Sequence, residues 1–336
     1  MPKPFSSLTH HGQARRLLDM ARLTLREYPL KVKQIRLLTY HFNAIFRVDT
    51  EDGRKYVLRI NLPGGRSLAE IRAETDWLAA LRRDTPLIVP EPIPRSDGEF
   101  VTTIEARGVP EPRHCVIFSW VAGHDLAQEM TPENYEKLGR VVAQLHHYAQ
   151  TFRLPEGSWL RLMDKVLPFN HGESIWDEKI NEEWMPSARR GVFRETADRV
   201  QILLDALFAT PSGLRVLHAD LHQYNIRVYR GQLRVLDFDD TMLGFPVLDV
   251  ALSLYYIQAH PEYLALREAY QRGYESVSPW PETQPGQVQT YIAGRELQLV
   301  NYVLHTTNPP TNPLFAPRLP GFLARAEERL KVFLAS

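Results

Sequence analysis

The chain has 336 residues with 40 basic and 40 acidic side chains, so it carries no global basic footprint for nucleic acid. Hydrophobic residues make up 44% and charged residues 24%, a balance that excludes a disordered or collagen-like chain. The single cysteine, Cys115, excludes an intrachain disulfide framework and a cysteine-rich zinc site, and no run of about 18 apolar residues suggests a transmembrane helix.

The start, Met1-Pro2-Lys3-Pro4-Phe5-Ser6, lacks the apolar stretch of a signal peptide, so the expected compartment is the cytoplasm. Leu17, Leu18, Ala21 and Leu25 predict an amphipathic helix over 13–27. Strands are predicted at 35–40, 44–50 and 55–61, with Asp52-Gly53 as a hairpin signal between the last two. Ile71, Thr75, Leu78 and Leu81 line one face of a helix over 68–83. Proline-rich 86–94 reads as an extended linker, and 100–105 and 114–120 as two more strands. The first part is therefore a mostly antiparallel sheet with one helix inserted. The character changes at Val121-Ala122-Gly123. A helix is predicted over 132–152, with Thr131 as its N-cap and Asn134 where a capping-box residue would sit. Trp159, Trp176 and Trp184 stand among charges in a weakly periodic stretch, and 192–209 reads as helical. Short strands follow at 215–217, 226–229 and 233–236, the last two joined by a turn at Gly231-Gln232, and helices and loops from Val247 onward.

The chemistry is concentrated in 216–249. His218, Asp220, His222 and Asn225 are followed by Asp237-Phe238-Asp239-Asp240 and Asp249. Crowded carboxylates repel unless a cation or a proton compensates, and Asp and Asn oxygens suit a hard ion such as Mg²⁺. Kinase catalytic loops place an Asp five residues before a metal-binding Asn, with a second metal-binding Asp on the next hairpin. Asp220, Asn225 and Asp237 have that order and spacing. Two other readings compete. Asp237-Phe238-Asp239 resembles the first motif of haloacid-dehalogenase-type phosphatases, which also require a downstream Lys and an acidic metal motif. After Asp249 this chain has no Asp, and its only Lys is Lys331. His218, Asp220 and His222 alternate, so on a strand they would share a face and could ligate zinc, but a third nitrogen ligand is missing nearby.

On these residues the chain resembles the aminoglycoside phosphotransferase / choline kinase-like family, over roughly residues 35–305. His218-x-Asp220-x-x-x-x-Asn225, Asp237-Phe-Asp-Asp and Gly244-x-Pro246-x-x-Asp249 look like its C-lobe signature. Leu138 to His146 resembles a shared helix, and Trp120 to Gly123 resembles the hinge. The resemblance implies an α+β, two-lobed protein-kinase-like fold: an N-lobe over 1–118, a hinge at 119–123 and a mainly helical C-lobe over 124–336. It implies that Asp220 is the catalytic Asp, with His218 supporting its loop and Asp249 bracing it from the next helix. Asn225 and Asp237, with Asp239 beside them, would hold Mg²⁺. Arg59 fits the strand position of the family's phosphate-holding basic residue, where lysine is common. Glu74 is its natural partner, with Glu70 one turn away. The loop at 39–45 has no glycine to bring backbone amides to phosphates, which leaves Asn43 to cover the nucleotide. Ser119, Trp120 and Val121 complete the expected nucleotide contacts.

The expected function is an ATP-dependent phosphotransferase acting on a small-molecule hydroxyl, with ATP and Mg²⁺ as cofactors and no nucleic-acid or membrane partner. Residues 1–123 carry five more basic than acidic side chains and 124–336 the reverse, which favours a cationic acceptor such as an aminoglycoside, choline or an amino alcohol. The alternatives are a protein Ser/Thr kinase of the same fold and a non-catalytic pseudokinase, the latter suggested by Arg59 and the glycine-free loop. Cys115 and His146 are expected to pack, and 309–313 to be a turn-rich connector. Oligomeric state is not legible.

Overall fold

Helix α1 (His10–Thr24) begins where the Thr9 hydroxyl accepts the Gly12 N–H. The structure, a computed structural model, describes residues 3–40, 43–169, 172–178, 182–210, 212–307 and 316–336. The expected connector at 309–313, and His41 and Phe42 of the glycine-free loop, lie outside the described residues. Strands β1 (Val32–Tyr40), β2 (Ala44–Thr50), β3 (Lys55–Ile60), β4 (Val101–Ile104) and β5 (Arg113–Ser119) pair antiparallel in the order β1-β2-β3-β5-β4. Leu17, Met20 and Ala21 pack with Phe46, Val48, Leu58, Ile60 and Ile117 in one core. Strand alternation therefore turns Arg59 to the opposite face from Leu58 and Ile60. There it meets α2 (Leu68–Asp84). That helix starts with a reciprocal capping box, in which Glu70 accepts from the Ser67 N–H at 2.9 Å and Ser67 accepts from the Glu70 N–H at 3.2 Å.

Contacts divide the chain into two compact units. The first is Met1–His124 with Phe152–Leu160 and Arg227–Asp239. Strands β6 (His124–Asp125), β8 (Ile226–Tyr229) and β9 (Gln232–Val235) form a small sheet in the order β6-β8-β9, and β7 (Arg215–Leu217) precedes the β8–β9 hairpin in the chain. The hairpin segment 227–239 groups with the first unit, although the expected boundary at 119–123 assigns it to the second. The reason is local bonding, since the Val235 N–H donates to Ile88 O at 3.0 Å and Arg234 reaches Ala122 O. The hairpin turn is Arg230-Gly231, with φ of 52° and 72°, one residue earlier than expected. Two adjacent left-handed residues match the twist of paired strands. Gly123, in the expected hinge, has a φ of 138°, and a Cβ there would stand 2.7 Å from Val228 O, so no other residue fits.

The second unit is Asp125–Thr151, Arg161–Ile226 and Asp240–Ser336. Its helices are α3 (Pro132–Tyr148), α4 (Ser187–Phe208), α5 (Pro246–Tyr255), α6 (Tyr263–Glu275), α7 (Gln287–Thr307) and α8 (Leu319–Ala335). Thr131 caps α3 through the Asn134 N–H as expected, with Pro132 at the first turn. The helix stops at Tyr148 rather than Phe152, and the Phe152 ring belongs to the first unit, edge-on to Trp77 at 4.8 Å. Helices α3 and α6 cross with their backbones in contact. A Cβ on Gly139 would collide with the Tyr270 carbonyl, and one on Gly273 with the Glu136 carbonyl. Strand β10 (Met242–Gly244), which the sequence did not suggest, pairs antiparallel with β7. No helix among the described residues is long and apolar enough to cross a membrane.

Candidate active site

The loop after β7 is bent where it matters. Ala219 sits at a φ of 64°, a left-handed conformation that costs a residue with a Cβ on the order of 1 kcal/mol or more. Asp249, fully buried in the first turn of α5, compensates. Its Oδ2 accepts the His218 N–H at 2.9 Å and its Oδ1 the Ala219 N–H at 2.7 Å. Buried His146 lies 3.1 Å from Asp249 Oδ2 through Nε2 and 2.9 Å from the Tyr274 hydroxyl through Nδ1. With Tyr274 donating to Nδ1, the ring proton on Nε2 faces Asp249. His146 thus ties α3, α5 and α6 to the loop, a larger part than the simple packing expected for it.

Past the bend, Asn225 Nδ2 donates to both the carbonyl oxygen of Asp220, at 2.9 Å, and its Oδ2, at 3.0 Å. His222 Nε2 lies 3.3 Å from the same Oδ2. His222 Nδ1 accepts the Tyr224 N–H at 3.2 Å, which puts the ring proton on Nε2, facing Asp220. Asp220 Oδ1 receives Arg295 Nη2 at 2.5 Å. Burial works to raise the Asp220 carboxyl, but the His222 hydrogen bond and the Arg295 charge outweigh it, so its pKa lies below the ordinary carboxylate value. Arg295 and Tyr256, whose hydroxyl Arg295 also reaches at 2.7 Å, were not foreseen. The available signal was a lone basic residue inside an apolar stretch of α7, Tyr291 to Val300. Trp159 is 55% exposed, and Trp176 lines a cavity of about 350 Å³ with Lys165, Glu173, Arg194 and Asp198.

In the first unit, Arg59 forms the forked pair with Glu74, at 2.8 Å through Nη1 and 2.5 Å through Nη2. Glu70 serves the cap of α2, which decides between the two candidate partners. Arg59 Nη1 also lies 3.2 Å from Asp239 Oδ1. Burial pulls the guanidinium down, but Glu74 and Asp239 more than reverse it, so its pKa is held well above the ordinary value. Asn43 Nδ2 donates to Asp239 Oδ2 at 2.8 Å, and Asn43 Oδ1 accepts the Leu62 N–H at 3.0 Å. Asp239 therefore engages both of its oxygens with protein groups. Asp237 has a φ of 58° and contributes to the field at Arg59. At the strand end, the Ser119 N–H donates to Glu91 O and the Trp120 N–H to Lys55 O, and the Trp120 ring carries Arg47 at 5.4 Å.

The zinc reading fails on its premise. His218, Asp220 and His222 are not on a strand: β7 ends at Leu217, and the Asp220 N–H donates to His218 Nδ1 at 3.3 Å. Residues 40–285 match the profile of the phosphotransferase enzyme family. The chain belongs to that family. It is an ATP-dependent phosphotransferase of the class that acts on hydroxyl groups, and the phosphatase motif at Asp237 is a coincidence of short sequence.

Two similar curated members are the amicoumacin kinase of Bacillus subtilis (strain 168) and the serine/threonine protein kinase RdoA of Salmonella typhimurium. The first is 23% identical over 238 residues, 70% of this chain and 66% of the relative. The second is 25% identical over 289 residues, 84% of this chain and 81% of the relative. A microcompartment-associated aminopropanol kinase superposes with a TM-score of 0.76 at 24% identity, covering 95% of this phosphotransferase and 98% of the other chain. Amicoumacin kinase hAmiN, solved with AMP-PNP, Ca²⁺ and Ami, does so with a TM-score of 0.75 at 17% identity, covering 96% of each chain. The shared fold is the expected one, with an antiparallel-sheet N-lobe and a helical C-lobe.

Proposed function

We propose that this phosphotransferase moves the γ-phosphoryl group of MgATP to the hydroxyl of a small amino alcohol. The observation that carries the reading is the Asp220–Asn225 loop, whose carboxylate is held in one orientation by Asn225, His222 and Arg295. Asp220 takes the hydroxyl hydrogen and points the oxygen at phosphorus; positioning of this kind is the main protein contribution to phosphoryl transfer. Arg59, fixed by Glu74, supplies positive charge on the phosphate side, and Asn43 covers the nucleotide. Of the strand-end residues, Ser119 and Trp120 have their backbone N–H groups engaged, which leaves Val121 to meet the base.

Magnesium fits the donors. Asn225 commits Nδ2 to Asp220, so its carbonyl Oδ1 is the atom suited to a hard cation. Asp237 is the carboxylate this reading assigns to the metal, and Asp239 beside it meets Arg59 and Asn43. Mg²⁺ needs only one or two such groups besides phosphate oxygens, and it would neutralise charge on the triphosphate. The hinge at 119–123 and a cytoplasmic setting belong to the same reading. An amine-bearing acceptor suits the acidic balance of 124–336 and the acceptor named for the aminopropanol kinase.

The test is ATP consumption with 1-amino-2-propanol, choline and an aminoglycoside as acceptors. Asp220→Asn should lower transfer by roughly 10² to 10⁴ while calorimetric MgATP affinity stays within a few-fold. Near wild-type transfer by Asp220→Asn overturns the role of Asp220, and no transfer to any amine-bearing acceptor overturns the acceptor class. The similarity to RdoA favours one second reading, a protein Ser/Thr kinase. Autophosphorylation without small-molecule transfer in the same assay would select it.

A further inference from the structure

Arg295 is the best-anchored charge around Asp220. One Nη2 reaches Asp220 Oδ1 at 2.5 Å and the Tyr256 hydroxyl at 2.7 Å, while Nη1 reaches Gln298 Oε1 at 3.2 Å. The guanidinium also lies 5.5 Å from the Tyr256 ring centre and 5.9 Å from that of Phe169. Its side chain is 6% exposed. A planar fork held on several sides has little freedom, and whatever it grips inherits that fixity.

A carboxylate offers about four lone-pair sites. Asn225 and His222 occupy both sites on Asp220 Oδ2. Arg295 occupies one on Oδ1. The site offered to an acceptor hydroxyl is therefore the second on Oδ1, the oxygen that Arg295 holds. We propose that Arg295 is a positioning residue of the transfer reaction, which clamps Asp220 Oδ1 so that its second lone pair faces the acceptor hydroxyl. This rests on the reading of Asp220 given above. Asn225 and His222 fix the other oxygen through neutral donors, which hold a carboxylate less firmly than a guanidinium does. Without Arg295 the carboxylate turns about its terminal torsion, which is broad and weakly restrained. A misplacement near 1 Å costs about 10² in rate.

The experiment is a double-mutant cycle on the full chain with Arg295→Met, Asp220→Asn and the pair, reading transfer from MgATP to 1-amino-2-propanol and to water. Arg295→Met should lower kcat by about 10² with the KM for MgATP unchanged within about twofold. Arg295→Lys should recover about tenfold of that loss, since it keeps the charge and loses the fork. In the Asp220→Asn background, Arg295→Met should cost nothing further, because its target is gone. If Arg295→Met does not fold, Tyr256→Phe takes its place: it removes one anchor of the fork, and a loss of roughly threefold to tenfold should vanish beside Asp220→Asn. Unchanged kcat in the Arg295 or Tyr256 variant, or an equal loss in both backgrounds, overturns the proposal. Near wild-type transfer by Asp220→Asn alone overturns the reading beneath it, a different outcome on the same plate.

Discussion

Asp249 and Ala219 stand 30 positions apart in the chain and meet through a 2.7 Å hydrogen bond that holds Ala219 at a φ of 64°. The same carboxylate takes the His218 N–H and faces His146, so three donors depend on one buried anion. Asp249→Ala orphans all three and releases the bend. We expect a loss of about 3–5 kcal/mol in urea unfolding, or no folded protein. A loss below about 1 kcal/mol would show that the bend is held by something else.

The α3–α6 crossing admits no side chain at Gly139 or Gly273, where a Cβ meets backbone rather than a movable side chain. Gly139→Ala should cost on the order of 3 kcal/mol or more. Gly191, within α4, has nothing within 4 Å of its would-be Cβ. Gly191→Ala should instead stabilise by about 0.5–1 kcal/mol, from helix propensity alone. Thermal melts of the two variants side by side check the contrast, which fails if both move the same way.

Arg59 and Glu74 form a buried pair, with Glu74 1% exposed. Arg59→Met strands that carboxylate and should cost about 3–5 kcal/mol, whereas replacing both partners with apolar residues should cost much less. Arg59→Lys keeps the charge but not the fork, and should fold with a smaller loss. Chemical denaturation of the three variants measures the order, and a Lys variant as unstable as the Met variant would contradict it.

Cys115 is fully buried, and burial pushes its thiol up to about 12 from an ordinary value near 9. The folded state therefore keeps the proton that the unfolded chain loses. Its contribution to stability is present below about pH 9 and is lost as pH rises through the folded value. As the only cysteine, it gives a clean readout. A thiol reagent at pH 8 should label less than a tenth of the native protein in the time that it labels all of the urea-unfolded chain. Equal labelling rates would show that the thiol is accessible.

Most of the element order is legible in the residues, because periodicity, caps and turns are local. Ala44 to Thr50 and Arg215 to Leu217 have the bounds expected of them, and Thr131 caps α3 as its neighbours require. The spacing of Asp220, Asn225 and Asp237 is legible in the same way, and so is Glu74 as the natural partner of Arg59, although the cap made by Glu70 decided between the two glutamates. The β8–β9 turn shifted by one residue because the twist of the pair places both left-handed residues at Arg230-Gly231. Strand β10 was not foreseen, because what makes it a strand is its pairing with the distant β7. Long-range packing is what brings Arg295 of α7 to Asp220, seats Asp239 on Arg59 and Asn43, and joins Asp249 to Tyr274 through His146. Each of these is a charge or a proton donor buried far in sequence from its partner. A buried polar group must find a partner, but the chain's local pattern records only that it is buried, not which distant group will meet it.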